Sequence, residues 1–260
     1  CPAVAVTNAF NTVLYTGNDT NTSYTRNVTG VGFKPDFIWI KSRDTSGFEH
    51  ALFDSVRGAG ASKILSSDTT GAEGWTSAGP MSAFITDGFS IQPRSPWNSN
   101  NLINKNGDDF VSWNWKAGGT AVSNTDGTIT SQVSANVDAG FSIVKYTATG
   151  SESIGHGLSQ QPEMIIQKRT DVTSEWATYT ATTGLQKYLQ LQSSAVVTND
   201  ANFMTAVGAS TFTSQWSSNS HDYINYCFHS VSGYSKVGSY NGTGTSGNFV
   251  YTGFQPRFVL

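Results

Sequence analysis

Charge is scarce in this chain of 260 residues: Asp, Glu, Lys and Arg make up 13%, where a soluble domain usually carries about 25%. The formal net charge is −3, so there is no basic stripe to hold a phosphate backbone, and a nucleic-acid partner lacks its electrostatic footprint. Cysteine is scarcer still. Cys1 and Cys227 supply neither a disulfide framework nor a paired-cysteine zinc site. No apolar run approaches the roughly 20 residues of a membrane-spanning helix, so no membrane insertion is expected. Helical spacing of apolar residues is missing too; LFDSVRGAGASKILS, 52–66, comes nearest, and its glycines break it.

What fills the chain instead is Ser, Thr, Asn, 26 glycines and 12% aromatic residues. Disordered chains are poor in aromatics, so this composition describes a folded, neutral-polar protein. The length suits two ordinary domains or one large all-β domain. The chain opens on CPAVAVT and closes on FVL, which reads as an excerpt of a longer polypeptide, with a lipoprotein beginning at a lipidated Cys1 as the rival.

The sequence repeats itself. Placing Pro35 over Pro162 pairs Phe37 with Met164, Ile38 with Ile165, Trp39 with Ile166 and Lys41 with Lys168, and Pro256 begins the same phrase again. Upstream lie FNTVLYTGN from Phe10, FSIVKYTATG from Phe141 and YSKVGSYNGTG from Tyr234. HALFDSV, 50–56, matches WATYTAT, 176–182; SKILSS, 62–67, matches QKYLQL, 186–191; DFVSWNWK, 109–116, matches DYINYCFH, 222–229. The segments alternate with period two: Val111, Trp113 and Trp115 on one face, Ser112, Asn114 and Lys116 on the other, which predicts strands with one packed face. With NG, DG and TG turn signals between them, the expected fold is all-β, in tandem antiparallel β-sandwich, jelly-roll-like repeats. The expected organisation is 1–9 as the end of a preceding segment, 10–118 as the first repeat, 119–233 as a linker strand plus the second repeat, and 234–260 as the start of a third. Each proline stands at a strand mouth, where a missing backbone donor costs little; Lys41 and Lys168 are expected where the strand regains solvent.

Several phrases in one order, FNTVLYTGN, VTGVGFKPDFIWIKSR, HALFDSVRGAG, SAFITDGFSI, NGDDFVSWNWKAGGTAVSNTDGTITSQVSANVDAGFSIVKYTATG and CFHSVSGYSKVGSY, resemble a repeat domain of large virion structural and tail-fibre-like proteins of tailed bacteriophages, especially those of marine and cyanobacterial hosts. The resemblance implies a place on the virion surface, in a tail fibre or capsid appendage that meets the host, with other virion proteins as partners and a homo-oligomer, a trimer, as the assembly. It implies no reaction and hands down no functional residues.

The residues themselves carry little chemistry. No HExxH, CxxC or EF-hand spacing occurs, so neither a metal nor a cofactor is expected. His50 and His156 stand apart from the other two histidines, and His221 and His229 are about 26 Å apart along one strand. RGAGASK, 57–63, lacks the order of a phosphate loop and reads as a glycine-rich turn. Acidic pairs such as Asp108 with Asp109 or Asp36 with Asp44 leave a capsule-degrading fibre domain as a rival reading. Trp39, Trp113 and Trp115 read as core. Trp97 and Trp216 differ, because each sits in a Ser/Asn-rich loop just before the last strand of its repeat. A planar ring flanked by amides suits a sugar face, so Trp97, Asn98, Asn100, Trp216 and Asn219 are the candidate ligand-binding residues for a host-surface glycan; packing under the loop is the competing role. The expected function is a noncatalytic virion structural module involved in host-surface adhesion, with a carbohydrate-binding module of a secreted bacterial protein as the alternative.

Overall fold

The computed structural model describes residues 8–19, 25–74, 81–92, 102–216 and 220–260. They form an all-β molecule whose helical content, among the described residues, is the single 3-10 turn Ala61–Lys63. The strands are β1 Phe10–Thr16, β2 Arg26–Thr29, β3 Phe37–Ser42, β4 Ala51–Asp54, β5 Met81–Ile85, β6 Gly88–Ile91, β7 Asp109–Trp115, β8 Val122–Asn124, β9 Ser131–Asn136, β10 Phe141–Thr147, β11 Glu152–Gly155, β12 Met164–Arg169, β13 Trp176–Thr180, β14 Lys187–Gln190, β15 Thr198–Asn199, β16 Ala206–Val207, β17 Thr211–Ser214 and β18 Asp222–Phe228. Four antiparallel sheets result, in the orders β1-β7-β3-β4, β2-β6-β5, β15-β14-β13-β12-β18-β10-β9-β8 and β11-β17-β16.

The first two sheets and the last two repeat one pattern. Phe10 faces Trp115 and Phe141 faces Phe228; Phe37 faces Trp115 and Met164 faces Phe228; Phe37 faces Asp54 and Met164 faces Thr180. Even the bridge of Leu52 with Leu65 returns as Thr178 with Leu189. Side chains follow the backbone. Tyr15 stacks on Phe110 at 5.2 Å and Tyr146 on Tyr223 at 5.2 Å, while Thr16 Oγ1 donates to Asp109 Oδ1 at 2.7 Å and Thr147 Oγ1 to Asp222 Oδ1 at 2.6 Å.

Three cores separate the four sheets. In the first, Ile38, Ile40, Phe53 and Phe110 of the large sheet pack with Val28, Met81, Phe89 and Ile91 of the small one; in the second, Val144, Ile165, Tyr179 and Tyr223 pack with Ile154 and Phe212. The middle core joins the large sheets face to face through Phe37, Trp39, Leu52 and Trp115 against Phe141, Ile166, Trp176, Ile224 and Tyr226. Both large sheets are therefore covered on both faces, which is why FIWI at 37–40 is a continuous apolar run rather than an alternating one. At roughly 1.5–3 kcal/mol per buried large side chain, the middle core welds the two units into one body.

This overturns two expectations. Ser112 and Asn114 do not face solvent. They lie on the Phe110 side of β7 and are fully buried, with Asn114 Nδ2 donating to Asn11 O, Ser112 O and Ser112 Oγ at 3.1 Å each. Small polar residues fit there because the Asn114 amide hydrogens and the Ser112 hydroxyl find partners under the second sheet, while Asn114 Oδ1 is left without one. Nor does Lys168 regain solvent: only 1% exposed, it sits at the seam between the units, its Nζ 3.0 Å from Ser174 Oγ and 3.3 Å from Thr70 O. Lys41 is half-buried and donates to Phe48 O at 2.7 Å. Period two alone could not reveal that each sheet has a second neighbour.

The connector contributes β8 and β9, so the run TITSQV does enter a strand. Residues 234–260 contain no strand among the described residues. Their main attachment is Phe258, whose ring centroid lies 5.2 Å from that of Trp115, 5.4 Å from Trp113, 6.1 Å from Trp39 and 6.2 Å from Phe10.

Candidate functional site

Of the five residues expected to meet a glycan, Trp97, Asn98, Asn100 and Asn219 lie outside the described residues. Trp216 follows β17 and is half-buried. Its ring lies 5.1 Å from Tyr188 and 5.3 Å from Phe203, tilted and edge-on, and the Arg169 guanidinium sits 5.9 Å from its centroid. Arg169 is itself steered: Nε donates to Tyr223 Oη at 2.8 Å and Nη2 to Trp216 O at 3.0 Å, and Tyr223 Oη donates to the same carbonyl at 3.0 Å. Much of this indole is thus occupied by its own unit, in aromatic and cation–π contacts. Nearby, His221 Nδ1 and Asp171 Oδ2 pair at 2.8 Å. The half-exposed part of the ring, beside a held guanidinium, is what remains to meet a ligand.

The carboxylates singled out by sequence have internal tasks. Asp36 is buried and accepts from Ser55 Oγ at 2.9 Å, Ala117 N at 2.8 Å and Gly119 N at 3.2 Å, tying β3 to the turn after β4 and to the connector. Asp44 and Asp108 meet at the opposite end of β3. Asp44 Oδ2 accepts from Asp109 N, while Asp108 pairs with Lys105 at 2.9 Å and accepts from Thr45 Oγ1. Desolvation alone would raise the Asp108 carboxyl, but the Thr45 hydroxyl and the Lys105 ammonium outweigh it and hold it below the usual carboxylate value. A glycosidase acid needs the reverse shift.

A buried ionic cluster at the seam was not singled out from the sequence. Asp54, fully buried, takes Arg57 Nε on Oδ2 at 2.6 Å and the Arg57 and Val56 amides on Oδ1 at 2.8 and 3.1 Å. Tyr226 of the other unit donates to Asp54 Oδ2 at 2.8 Å. Arg57 Nη1 reaches Lys63 O at 2.6 Å and Glu73 at 3.4 Å, and Glu73 pairs with Lys63 at 2.7 Å. Burial alone would lower the Arg57 guanidinium, yet Asp54 and Tyr226 keep it above its ordinary value; burial pushes the Tyr226 phenol well up. Arg57 thus stays charged and Tyr226 stays neutral through the neutral range. The i, i+3 spacing of an acid and an arginine at the mouth of a glycine-rich turn was the signal available in DSVRG.

The histidines are dispersed. His50 Nδ1 accepts from Trp39 Nε1 at 2.7 Å. His156 is buried as a neutral ring: Nδ1 accepts from Leu158 N at 3.1 Å, Nε2 lies 3.2 Å from Gly208 O, and burial holds its pKa below the ordinary value. Among the described residues no group of three or more His, Cys, Asp or Glu is placed to hold a metal, and no helix is long and apolar enough to cross a membrane.

No curated protein and no solved structure matches the chain. The chain belongs to the family described as Domain of unknown function (DUF7483), which matches residues 5–260.

Proposed function

We propose that the chain is a noncatalytic structural module of a tailed-bacteriophage virion, a tail fibre or capsid appendage of tandem jelly-roll-like units displayed on the particle surface and involved in host adhesion. The observation that carries this reading is the seam between the units. Phe37 stacks on Tyr226 at 4.3 Å, Trp176 Nε1 donates to Ser66 O at 2.6 Å, Glu73 N donates to Thr170 O at 2.7 Å, and Ser174 N donates to Thr70 O at 2.9 Å. Two units joined so closely act as one stiff spacer, which suits an appendage that must carry load and present loops at a fixed distance. The structural use of Asp36, Asp44 and Asp108 also favours a spacer over a capsule-degrading domain.

Adhesion by such a module works through number. Copies of the chain and other virion proteins in one appendage multiply weak glycan contacts through effective concentration. Immunogold labelling of particles that encode the chain is expected to mark a fibre or capsid appendage; particles free of label sink the virion reading. For the adhesive part, a glycan array with Trp97→Ala is the probe, because Trp97 carries the sugar expectation and Trp216 is engaged by Tyr188, Phe203 and Arg169. A fall in glycan binding of tenfold or more is expected, and unchanged binding removes the site.

A further inference from the structure

The loops that follow β2 and β11 are each clasped to a hairpin turn of their small sheet, and the two clasps use different chemistry. In the first unit the hairpin supplies the side chain: Asp87, in the turn between β5 and β6, accepts from Gly30 N at 3.0 Å and Gly32 N at 2.5 Å. In the second unit the loop supplies it. His156, fully buried after β11, reaches the turn between β16 and β17, with Nε2 3.2 Å from Gly208 O. His156 N donates to Ser210 O at 3.1 Å, so backbone and side chain grip the same turn.

Hydrogen bonding leaves this ring one protonation state. Leu158 N can only donate, so Nδ1, 3.1 Å away, accepts, and the single ring proton sits on Nε2 and is donated to Gly208 O. A second proton, on Nδ1, would face the Leu158 amide, remove that bond and leave a buried charge with no hydrogen-bonded counter-ion. Two ionisable groups act on the ring: Asp126, from the turn between β8 and β9, and His229, at the end of β18. Asp126 would favour the second proton, but it is exposed, screened by water and held by Asn124 Nδ2 at 2.9 Å. His229, itself buried with Nε2 unpartnered, opposes it. Residues 157–161 and 206–210 bring no ionisable side chain.

We propose that His156 is an acid-sensitive latch of the second unit, whose protonation releases the β16–β17 hairpin while the Asp87 clasp of the first unit stays closed. Burial holds the His156 pKa below its ordinary value, and the Gly32 and Gly30 amides hold that of Asp87 below the usual carboxylate value. Above about pH 6.5 the imidazole is neutral whether the hairpin is closed or open, and the latch holds fully. Below that the open form takes the proton first, so closure weakens until the lower value of the closed form is reached. The Asp87 clasp weakens only at about pH 4 and below. Val207 and Phe212 of the hairpin pack in the second core, so release uncovers apolar surface.

Hydrogen exchange of the whole chain, read by mass spectrometry, tests this without glycan or particle, so the outcome is separate from the virion reading. The readout is peptide by peptide, which keeps the titration of His50 and His221 out of it. From pH 7.5 to 5.0, with intrinsic rates corrected, protection of 156–158 and 206–213 is expected to fall about five- to thirtyfold. Protection of 28–32 and 85–91 is expected to stay within about twofold, because a carboxylate does not titrate there. His156→Gln and His156→Asn each offer an acceptor and a donor without a titrating nitrogen, so either is expected to show equal protection at both pH values. Equal protection in the wild type overturns the proposal. So does a fall that survives either substitution, or one matched at 28–32 in the first unit.

Discussion

The turns after β4 and β13 are the same turn with different chemistry. Gly58 N reaches Asp54 O at 3.0 Å and Gly184 N reaches Thr180 O at 3.1 Å; Arg57 N donates to Asp54 Oδ1 at 2.8 Å and Thr183 N to Thr180 Oγ1 at 3.1 Å. In the first unit the pair is an ion pair, Asp54 with Arg57, sealed at the seam by Tyr226; in the second it is Thr180 with Thr183, both half-buried. The backbone demands only a short side-chain acceptor at the first position. What the neighbour brings decides the rest: a turn covered by the other unit gains partners for a charge, and an uncovered one keeps hydroxyls.

Breaking the ion pair on one side should show this most strongly. Arg57→Met leaves Asp54 buried without its cation and is expected to cost about 3–5 kcal/mol in urea unfolding, whereas Thr183→Val in the matching turn is expected to cost about 1 kcal/mol or less. Copying the second unit into the first, Asp54→Thr with Arg57→Thr, should recover much of the loss; an equally damaged double variant would mean that the charges themselves hold the seam.

The lysines at matched positions give the next contrast. Burial, with the neighbouring Arg169 adding to it, lowers Lys168 to about 8. Below pH 8 the ammonium is charged in both folded and unfolded chains, and the fold carries the full cost of burying it. As pH rises from about 8 towards about 10, the folded chain releases the proton first and stability increases. Lys168→Met is therefore expected to raise stability at pH 7 by about 1–2 kcal/mol and to remove that rise, while Lys41→Met leaves the rise in place. Thermal melts between pH 7 and 10 read both.

Phe258 supplies the smallest effect. Its ring packs against first-unit aromatic residues on the face of the middle core, so Phe258→Ala is expected to cost about 1–2 kcal/mol, at the low end of large-to-small losses because the site is only half-buried. Tryptophan emission should shift to the red as Trp113 becomes wetter. An unshifted spectrum would mean that the segment rests elsewhere.

Much of this was legible before the fold. The phrase from Pro35 to Lys41 and its echo from Pro162 to Lys168 give the register of β3 and β12, and DFVSWNWK against DYINYCFH gives that of β7 and β18, because strand pairing in each unit is set by the same alternation. The layers were not legible. Ser112 and Asn114 look like a wet face, since nothing in a period-two pattern distinguishes water from a second sheet that accepts small hydrogen-bonded residues. Trp216 was placed correctly in its loop, but its contacts with Tyr188, Phe203 and Arg169 come from three other segments. The Asp54 cluster escaped notice for the same reason, since Tyr226 lies 172 residues away.

Sequence by itself determined that the chain is all-β, that one strand pattern is written twice, and which positions of β7 and β3 correspond to those of β18 and β12. These are local and repetitive facts, and alternation with turn chemistry is enough to express them. Tertiary structure alone decided that the two units stand back to back, which lysine is buried and which turn bears charge. Two sheets built on the same four-strand pattern acquire different fates by what is packed against each, and that contact is made by residues far apart in the chain.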